Sequence, residues 1–177
     1  LTDKHKNILK KKFAYIVERI RNSYLYFIGL GEIISKQLGV INYIVPNEFL
    51  FQIYMTKARQ YYLKNHHFHY AINVGEDVFK AIVPSCMIQI MTGEKDDYPI
   101  KIADYRDNTL KEIDYKLNTN SLEETSKNTV LQSVNSCFSF NLERTMMVNR
   151  LVKEQKSFGN FCLTISNGIC TSCDKVY

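Results

Sequence analysis

The stretch GVINYIVPNEFL, residues 39–50, constrains the fold of this chain more than any other. A glycine leads into six mostly apolar residues, and a Pro-Asn pair stops them abruptly. Such a run predicts a β-strand over residues 40–45. Because it scarcely alternates, we expect burial on both faces, as in the middle of a parallel sheet. Pro46 has no N–H to donate to a ladder, so the strand has to end there.

The neighbouring segments predict a layered α/β sheet. Apolar residues at three- and four-residue spacing predict helices over 5–21, 23–38 and 52–64, with Gly39 ending the second. Short apolar runs predict further strands over 68–74, 85–91 and 98–105, the last of them half exposed. Residues 106–130 are polar and without a sustained period, which predicts a long connection. A helix over 141–155 and a strand with a turn follow.

The ends of the predicted strands mark a candidate ligand site, because open α/β sheets bind ligands beyond the carboxyl ends of their strands. Pro46 and Asn47 follow the first predicted strand, and Gly75 and Glu76 follow the second. We therefore predict that these four residues form the rim of a pocket. Phe79 comes just after the second turn. Its spacing is compatible with a position beside the pocket and with packing in the core.

Composition favours a cytoplasmic protein without a membrane partner. Of the 177 residues, 45% are hydrophobic and 23% are charged, a balance typical of soluble globular proteins. No apolar run reaches the roughly 18–20 residues of a membrane helix, and the first residues are too polar for a secretory signal. The net charge is +5. The lysines at 4, 6, 10, 11 and 12 suit either a solvated helix face or contacts with a polyanion.

The cysteines predict neither a disulfide framework nor a metal site. The chain has 5 cysteines, an odd number at uneven spacing. Cys170 and Cys173 have the spacing of metal ligands, but a zinc site needs four ligands and no second pair follows. Further ligands would have to come from residues brought close only by folding: Cys162, His66, His67 and His69. We expect the three histidines on a solvated rim and the thiols reduced and metal-free.

Composition and spacing thus predict an α/β ligand-binding domain and no particular reaction. The sequence also contains no Gly-rich phosphate loop, Walker motif, serine elbow or zinc-protease pair.

Four consecutive stretches, NSYLYFIGLGEIISKQLG, GVINYIVPNEFL, KARQYYLKNHHFHYAINVGEDVF and VPSCMIQIMTG, resemble the N6-adenine DNA methyltransferases of type II restriction–modification systems. A fifth, SNGICTSCDKVY, resembles the opening of that family's C-terminal target recognition domain. The resemblance covers about residues 5–105 and 150–177. The order and spacing of the motifs carry it, since no single motif is decisive.

The resemblance implies the C-terminal half of a Rossmann-like class I methyltransferase sheet with helices on both faces. Residues 1–105 would complete the catalytic domain, 106–156 would form a connection and a helix, and 157–177 would begin target recognition. The family's Gly-rich cofactor loop and its catalytic Asn-Pro-Pro-Tyr would both precede residue 1. The resemblance therefore implies an internal fragment without catalytic residues, which alone should be inactive and bind the cofactor weakly.

For the full-length enzyme, the resemblance implies methyl transfer from S-adenosylmethionine to an adenine flipped out of double-stranded DNA, with or without a fused restriction endonuclease. Phe27 matches the aromatic that packs against the cofactor's adenine, and Tyr24 belongs to the same cofactor-side motif. Phe79 matches the aromatic that stacks on the flipped base, which needs a π-face to recover its lost stacking. Two alternatives stay open: a non-catalytic DNA-binding or scaffold module, and a related methyltransferase acting on RNA or on a protein amide.

Overall fold

The computed structural model describes residues 2–18, 22–76, 83–93, 96, 98–119, 122–141, 143, 146–148, 150 and 151. Residues Leu1–Phe140 form one compact unit and Asn141–Tyr177 a second. In the second unit, residues 143, 146–148, 150 and 151 are helical and lie within the helix predicted over 141–155. The predicted strand and turn of residues 157–177 lie outside the described residues.

The first unit is a mixed α/β structure. Its described helices are α1 (Asp3–Lys12), α2 (Ser23–Ile34), α3 (Glu48–Phe51), α4 (Thr56–Asn65), α5 (Leu110–Asn118) and α6 (Lys127–Gln132), with 3₁₀ turns at Ile53–Met55 and Val134–Ser136. Its described strands are β1 (Val40–Pro46), β2 (His67–Gly75), β3 (Ser85–Met91), β4 (Pro99–Asp104) and β5 (Glu123–Ser126). None of the helices described here is long and apolar enough to cross a bilayer.

The five described strands form one sheet in the order β1-β3-β2-β4-β5. β3 lies between β1 and β2 and is antiparallel to both, whereas β2 and β4 are parallel. β5 pairs antiparallel with β4. The carboxyl ends of β1, β2 and β4 therefore meet the beginning of β3 at one end of the sheet. We call this end the carboxyl edge.

The core lies on both faces of the sheet, as the sequence predicts. On one face α2 and α4 cover a large cluster that includes Phe49, Tyr62, Phe68 and Ile88. On the other face α5 contributes Ile113 to a smaller cluster, together with Ile72, Val74, Ala103 and Tyr105. The helices on both faces confirm the α/β class.

The prediction for β1 was right about the strand and wrong about both its pairing and its burial. The strand pairs antiparallel with β3, and its other edge has no partner strand in the described part of the chain. Its side chains alternate: Ile41 and Val45 are buried, whereas Val40 and Ile44 are 48% and 47% exposed. The cause is that α2 covers only one face of β1 in this chain. A continuous apolar run indicates a strand, but what covers its second face decides its burial.

Two predicted helices end earlier than their apolar spacing suggests. α1 ends at Lys12 instead of continuing to residue 21. The buried side chains of Phe13 and Ile16 lie in turns, and Val17 follows directly after them. α2 is capped at Ser35 instead of Gly39, because the Ser35 hydroxyl donates to the carbonyl of Gly31 at 2.7 Å. Apolar spacing reports which side chains are buried, and consecutive turns can bury them as well as a helix does.

The third predicted helix, over 52–64, is divided in the structure. A 3₁₀ turn at Ile53–Met55 comes first, and α4 begins only at Thr56. Its end at Asn65 lies one residue beyond the predicted limit.

Residues 106–130 are not the long connection that their composition predicts. They contain α5, β5 and the start of α6, and β5 extends the sheet beside β4. α5 begins at a capping box, in which the Thr109 hydroxyl accepts from the Glu112 N–H and the Glu112 carboxylate accepts from the Thr109 N–H. These local hydrogen bonds start the helix, and Ile113 and Leu117, four residues apart, form its apolar side against the smaller cluster.

Candidate functional site at the carboxyl edge

The structure brings the predicted rim residues to the same edge of the sheet. Pro46 ends β1 opposite Ser85, and Gly75 ends β2 opposite the same Ser85 from the other side. Asn47 lies next to them, and its backbone N–H donates to the carbonyl of Pro84 at 2.9 Å. Glu76 is exposed in a bend directly after β2.

A chain of polar side chains crosses this edge. Asn47 Nδ2 donates to Asn73 Oδ1 at 3.1 Å, and Asn73 Nδ2 donates to Asp104 Oδ1 at 3.2 Å. The Arg106 guanidinium then pairs with both Asp104 oxygens, at distances of 2.6–3.0 Å. These contacts hold the pKa of Arg106 above its usual value. Asn73 is enclosed in this network, whereas the half-buried Asn47 and the exposed Arg106 lie where an amide and a guanidinium can meet a polar ligand.

Gly75 has a backbone that only glycine adopts easily. Its φ is +75°, and a Cβ at this position would lie 3.0 Å from Arg106 Cα. The end of β2 therefore packs directly against the chain that follows β4. A side chain here would push these two parts of the edge apart.

The two predicted cofactor-side residues have different surroundings. Tyr24 is half-buried, its hydroxyl lies 3.3 Å from Met55 Sδ, and burial raises the pKa of its phenol. Phe27 is 59% exposed, and the Tyr43 hydroxyl donates to its carbonyl at 2.9 Å. Tyr24 therefore contributes to packing, while the ring of Phe27 is free to meet a ligand or another part of a protein.

The beginning of α2 lies close to the rim. Asn22 Nδ2 donates to Glu48 Oε2 at 3.3 Å, and Glu48 directly follows Asn47 in the chain. This contact places the helix that bears Tyr24 and Phe27 beside the carboxyl edge. Phe79, the predicted base-stacking residue, lies outside the described residues.

The expectation of a solvated histidine rim was wrong for His66, which is only 8% exposed. Its Nε2 lies 3.1 Å from Glu32 Oε1, and its Nδ1 accepts from the Gly93 N–H at 2.9 Å. Nδ1 therefore carries no proton, and Nε2 donates to the carboxylate. His67 and His69 instead lie against tyrosine rings, with centroid distances of 4.4 Å to Tyr98 and Tyr70 respectively.

Within the described ranges no three His, Cys, Asp or Glu side chains are grouped to hold a metal ion. Cys162, Cys170 and Cys173 lie outside those ranges, so their expected metal-free state stays a prediction.

The Glu32 carboxylate is a second polar centre that sequence reasoning missed. It accepts hydrogen bonds from Tyr15 at 3.1 Å, from Tyr61 at 2.6 Å and from His66. Burial alone would raise the pKa of Glu32, but the hydrogen bonds from His66 and Tyr61 outweigh it and the net shift is downward. Because His66 precedes β2 and Gly93 follows β3, this cluster lies at the end of the sheet opposite the carboxyl edge.

A groove of about 410 Å³ lies on the sheet face that α5 only partly covers. Its lining is mostly apolar and includes Ile44, Tyr70, Met87 and Leu117. Its described lining contains none of the predicted site residues. We therefore place the candidate site at the carboxyl edge, where the polar side chains meet, and not in this groove.

α1 has no buried residue, and its lysines are solvated. Lys6 pairs with Asp3 at 3.1 Å, an exposed contact within the helix. Both interpretations of the lysines, a solvated face and a contact surface for a polyanion, agree with this exposure.

Sequence reasoning did not single out Asn73 or Asp104. The available signal was a polar residue near the end of an otherwise apolar strand, in FHYAINVG and in YPIKIADY. Asn73 is fully buried. A buried amide is costly unless it is hydrogen-bonded, so its presence in a strand points to a specific partner.

Comparison with known proteins finds one family model that is similar to the first part of the chain. The model of the Eco57I restriction-modification methylase family matches residues 1–79 of the 177. No curated protein matches the chain significantly.

Solved structures extend the comparison to the fold. An ATP-dependent Type ISP restriction-modification enzyme, LlaBIII, bound to DNA is similar with a TM-score of 0.52 and 17% identity over 70% of this chain. A putative class I S-adenosylmethionine-dependent methyltransferase from Listeria monocytogenes is similar with a TM-score of 0.50 and 17% identity over 63% of this chain.

These likenesses show that the sheet and its helices have the class I methyltransferase fold. The chain spans 10% of the length of the first structure and 36% of the second.

Proposed function

We propose that this chain is part of a longer S-adenosylmethionine-dependent DNA methyltransferase of a restriction–modification system. The observation that carries the proposal is the match of residues 1–79 to a restriction-modification methylase family. The class I methyltransferase fold agrees with it. The short share of the similar structures that this chain spans suits a partial catalytic domain, with residues 1–105 in its C-terminal half and target recognition beginning near residue 157.

We propose N6 of adenine in double-stranded DNA as the methylated atom, in a type II system, with the base flipped out of the helix. The upstream part of the enzyme would supply the Gly-rich cofactor loop and the Asn-Pro-Pro-Tyr that accepts hydrogen bonds from the exocyclic amine. This chain would supply Phe27 and Tyr24 on the cofactor side and Phe79 on the base side. The rim would consist of Pro46, Asn47, Gly75 and Glu76. Positioning and charge stabilisation then drive the direct transfer.

The test concerns Phe79 in the full-length enzyme. If its ring stacks on the extruded base, Phe79→Ala should remove roughly 1–3 kcal/mol of stacking. Methyl transfer should slow and the fluorescence of 2-aminopurine at the target base should change, while cofactor affinity stays near wild type. Phe79→Trp preserves a π-face and should keep most of the activity.

Two outcomes would contradict the proposal. A Phe79→Ala protein that loses several kcal/mol of stability, as a buried Phe does, yet flips the base normally would assign Phe79 to the core. A full-length protein that binds DNA but transfers no methyl group from labelled S-adenosylmethionine would be a DNA-binding module instead of an enzyme.

A further inference from the structure

Asn47, Asn73 and Asp104 connect three strands through side chains alone. We call these three residues the carboxamide bridge. Their hydrogen-bond distances are 3.1 Å between Asn47 and Asn73 and 3.2 Å between Asn73 and Asp104. β1 and β2 are not neighbours in the sheet, since β3 lies between them. The Asn47–Asn73 contact therefore crosses over the beginning of β3, a link that backbone pairing cannot provide.

The hydrogen bonds fix the direction of every amide in the bridge. An ionised Asp104 only accepts, so Asn73 has to present its NH₂ group to it. Asn73 Oδ1 then faces Asn47, which has to present its own NH₂ group in turn. Arg106 holds the Asp104 carboxylate in place from the other side. Asn47 is consequently oriented by a carboxylate that it does not touch.

The sheet does not need this bridge to hold β2 and β4 together. These strands pair through their backbones, and the Tyr105 N–H donates to the Asn73 carbonyl at 2.7 Å. The bridge instead ends at Asn47, on the rim. There the backbone of Asn47 also donates to Pro84, just before β3. Asn47 thereby joins the end of β1 both to the last residues of β2 and to the entry into β3.

We propose that Asn73 is a positioning residue, which sets the geometry of the rim through Asn47 and so acts on the binding of the target DNA. The inference rests on the proposed function. The bridge then matters more for DNA binding and base extrusion than for the stability of the fold.

The experiment uses the full-length protein and a DNA duplex with 2-aminopurine at the target position. Asn73→Leu keeps the side-chain size and removes both hydrogen bonds. We expect it to raise the Kd for DNA about tenfold, the equivalent of losing one to two hydrogen bonds. The 2-aminopurine signal should fall at saturating DNA. Asn65→Leu is the matched control and should leave both readouts unchanged. Asn65 ends α4, away from the carboxyl edge, and within the described residues its amide donates to the carbonyl of Tyr61.

A double-mutant cycle tests the bridge without altering the buried residue. Asn47→Ala and Asp104→Ala remove its two ends, which do not touch each other. If Asn73 couples Asn47 to Asp104, the DNA affinity of the double variant should equal that of the single variant with the lower affinity. If the losses of DNA affinity in the two single variants multiply in the double variant, the coupling is refuted. An Asn73→Leu protein with a lower melting temperature but normal DNA binding and base flipping would refute it as well. If the wild-type enzyme shows no DNA methylation at all, the proposed function fails instead.

Discussion

The Glu32 cluster allows a prediction of stability from counted hydrogen bonds. The Glu32 side chain is 15% exposed and accepts from Tyr15, Tyr61 and His66. Glu32→Gln keeps the shape but removes the charge and replaces one acceptor by a donor. A hydrogen bond to a charged group contributes about 1.5–3 kcal/mol, and the tyrosine hydroxyls can rotate to compensate in part. We expect a loss of about 2–4 kcal/mol in the free energy of unfolding.

The assay is urea unfolding at neutral and at acidic pH. The pKa of Glu32 lies below its usual value of 4.5 in the folded protein. A lowered folded pKa stabilises the protein above the unfolded pKa, and this stabilisation is lost as the pH falls through the folded pKa. The difference between wild type and Glu32→Gln should therefore be full at pH 7 and shrink as the pH falls below 4.5.

Glu124→Gln, on an exposed position of β5, is the matched control and should stay within about 0.5 kcal/mol of wild type. A loss of the same small size for Glu32→Gln would refute the reasoning. So would a large loss that does not change between pH 7 and the acidic range.

Two further predictions concern the packing of the first unit. Arg59 is fully buried and donates to the carbonyls of Phe49, Asn135 and Ser136, each at 2.8 Å. Arg59→Met should therefore lower the free energy of unfolding in urea by about 3–5 kcal/mol. A loss under about 1 kcal/mol would contradict these contacts. Gly75→Ala should destabilise more than Gly93→Ala in thermal melting. Both glycines have positive φ, at +75° and +77°. A Cβ at residue 75 would meet backbone atoms, whereas a Cβ at residue 93 would meet a flexible glutamine side chain. Equal losses of stability in the two variants would show that the positive φ alone determines the loss.

The apolar strands of this fold are predictable from the sequence, and their surroundings are not. The prediction for 85–91 matches β3 residue for residue, because a short apolar run between turn residues specifies a strand. The predicted position of β1 inside a parallel sheet was wrong, because orientation depends on which strand inserts beside it. α5 was missed because its three apolar residues at helical spacing, Leu110, Ile113 and Leu117, stand in a polar stretch, and β5 was missed because it is short and polar.

The candidate site shows the same division. Pro46, Asn47 and Gly75 were placed at one edge from turn chemistry alone, since Pro and Gly end strands for local reasons. Asn73 and Asp104 are not predictable as site residues, because their role depends on partners 26 to 31 residues away in the chain. His66 was assigned to a solvated rim since nothing local reveals Glu32, which lies 34 residues earlier.

The insertion of β3 between β1 and β2 also affects the order in which the strands can pair during synthesis. During synthesis β1 emerges first, yet Pro46 pairs with Ser85 and Val40 with Met91, so its described partner follows 39 to 51 residues later. At the usual 5–20 residues per second, the strand waits roughly 2–10 s with its apolar side chains unpaired. β2 has a much shorter wait for the same partner. We therefore expect β2 and β3 to pair before β1 joins them, and nascent chains that end before residue 85 to be the species that chaperones bind.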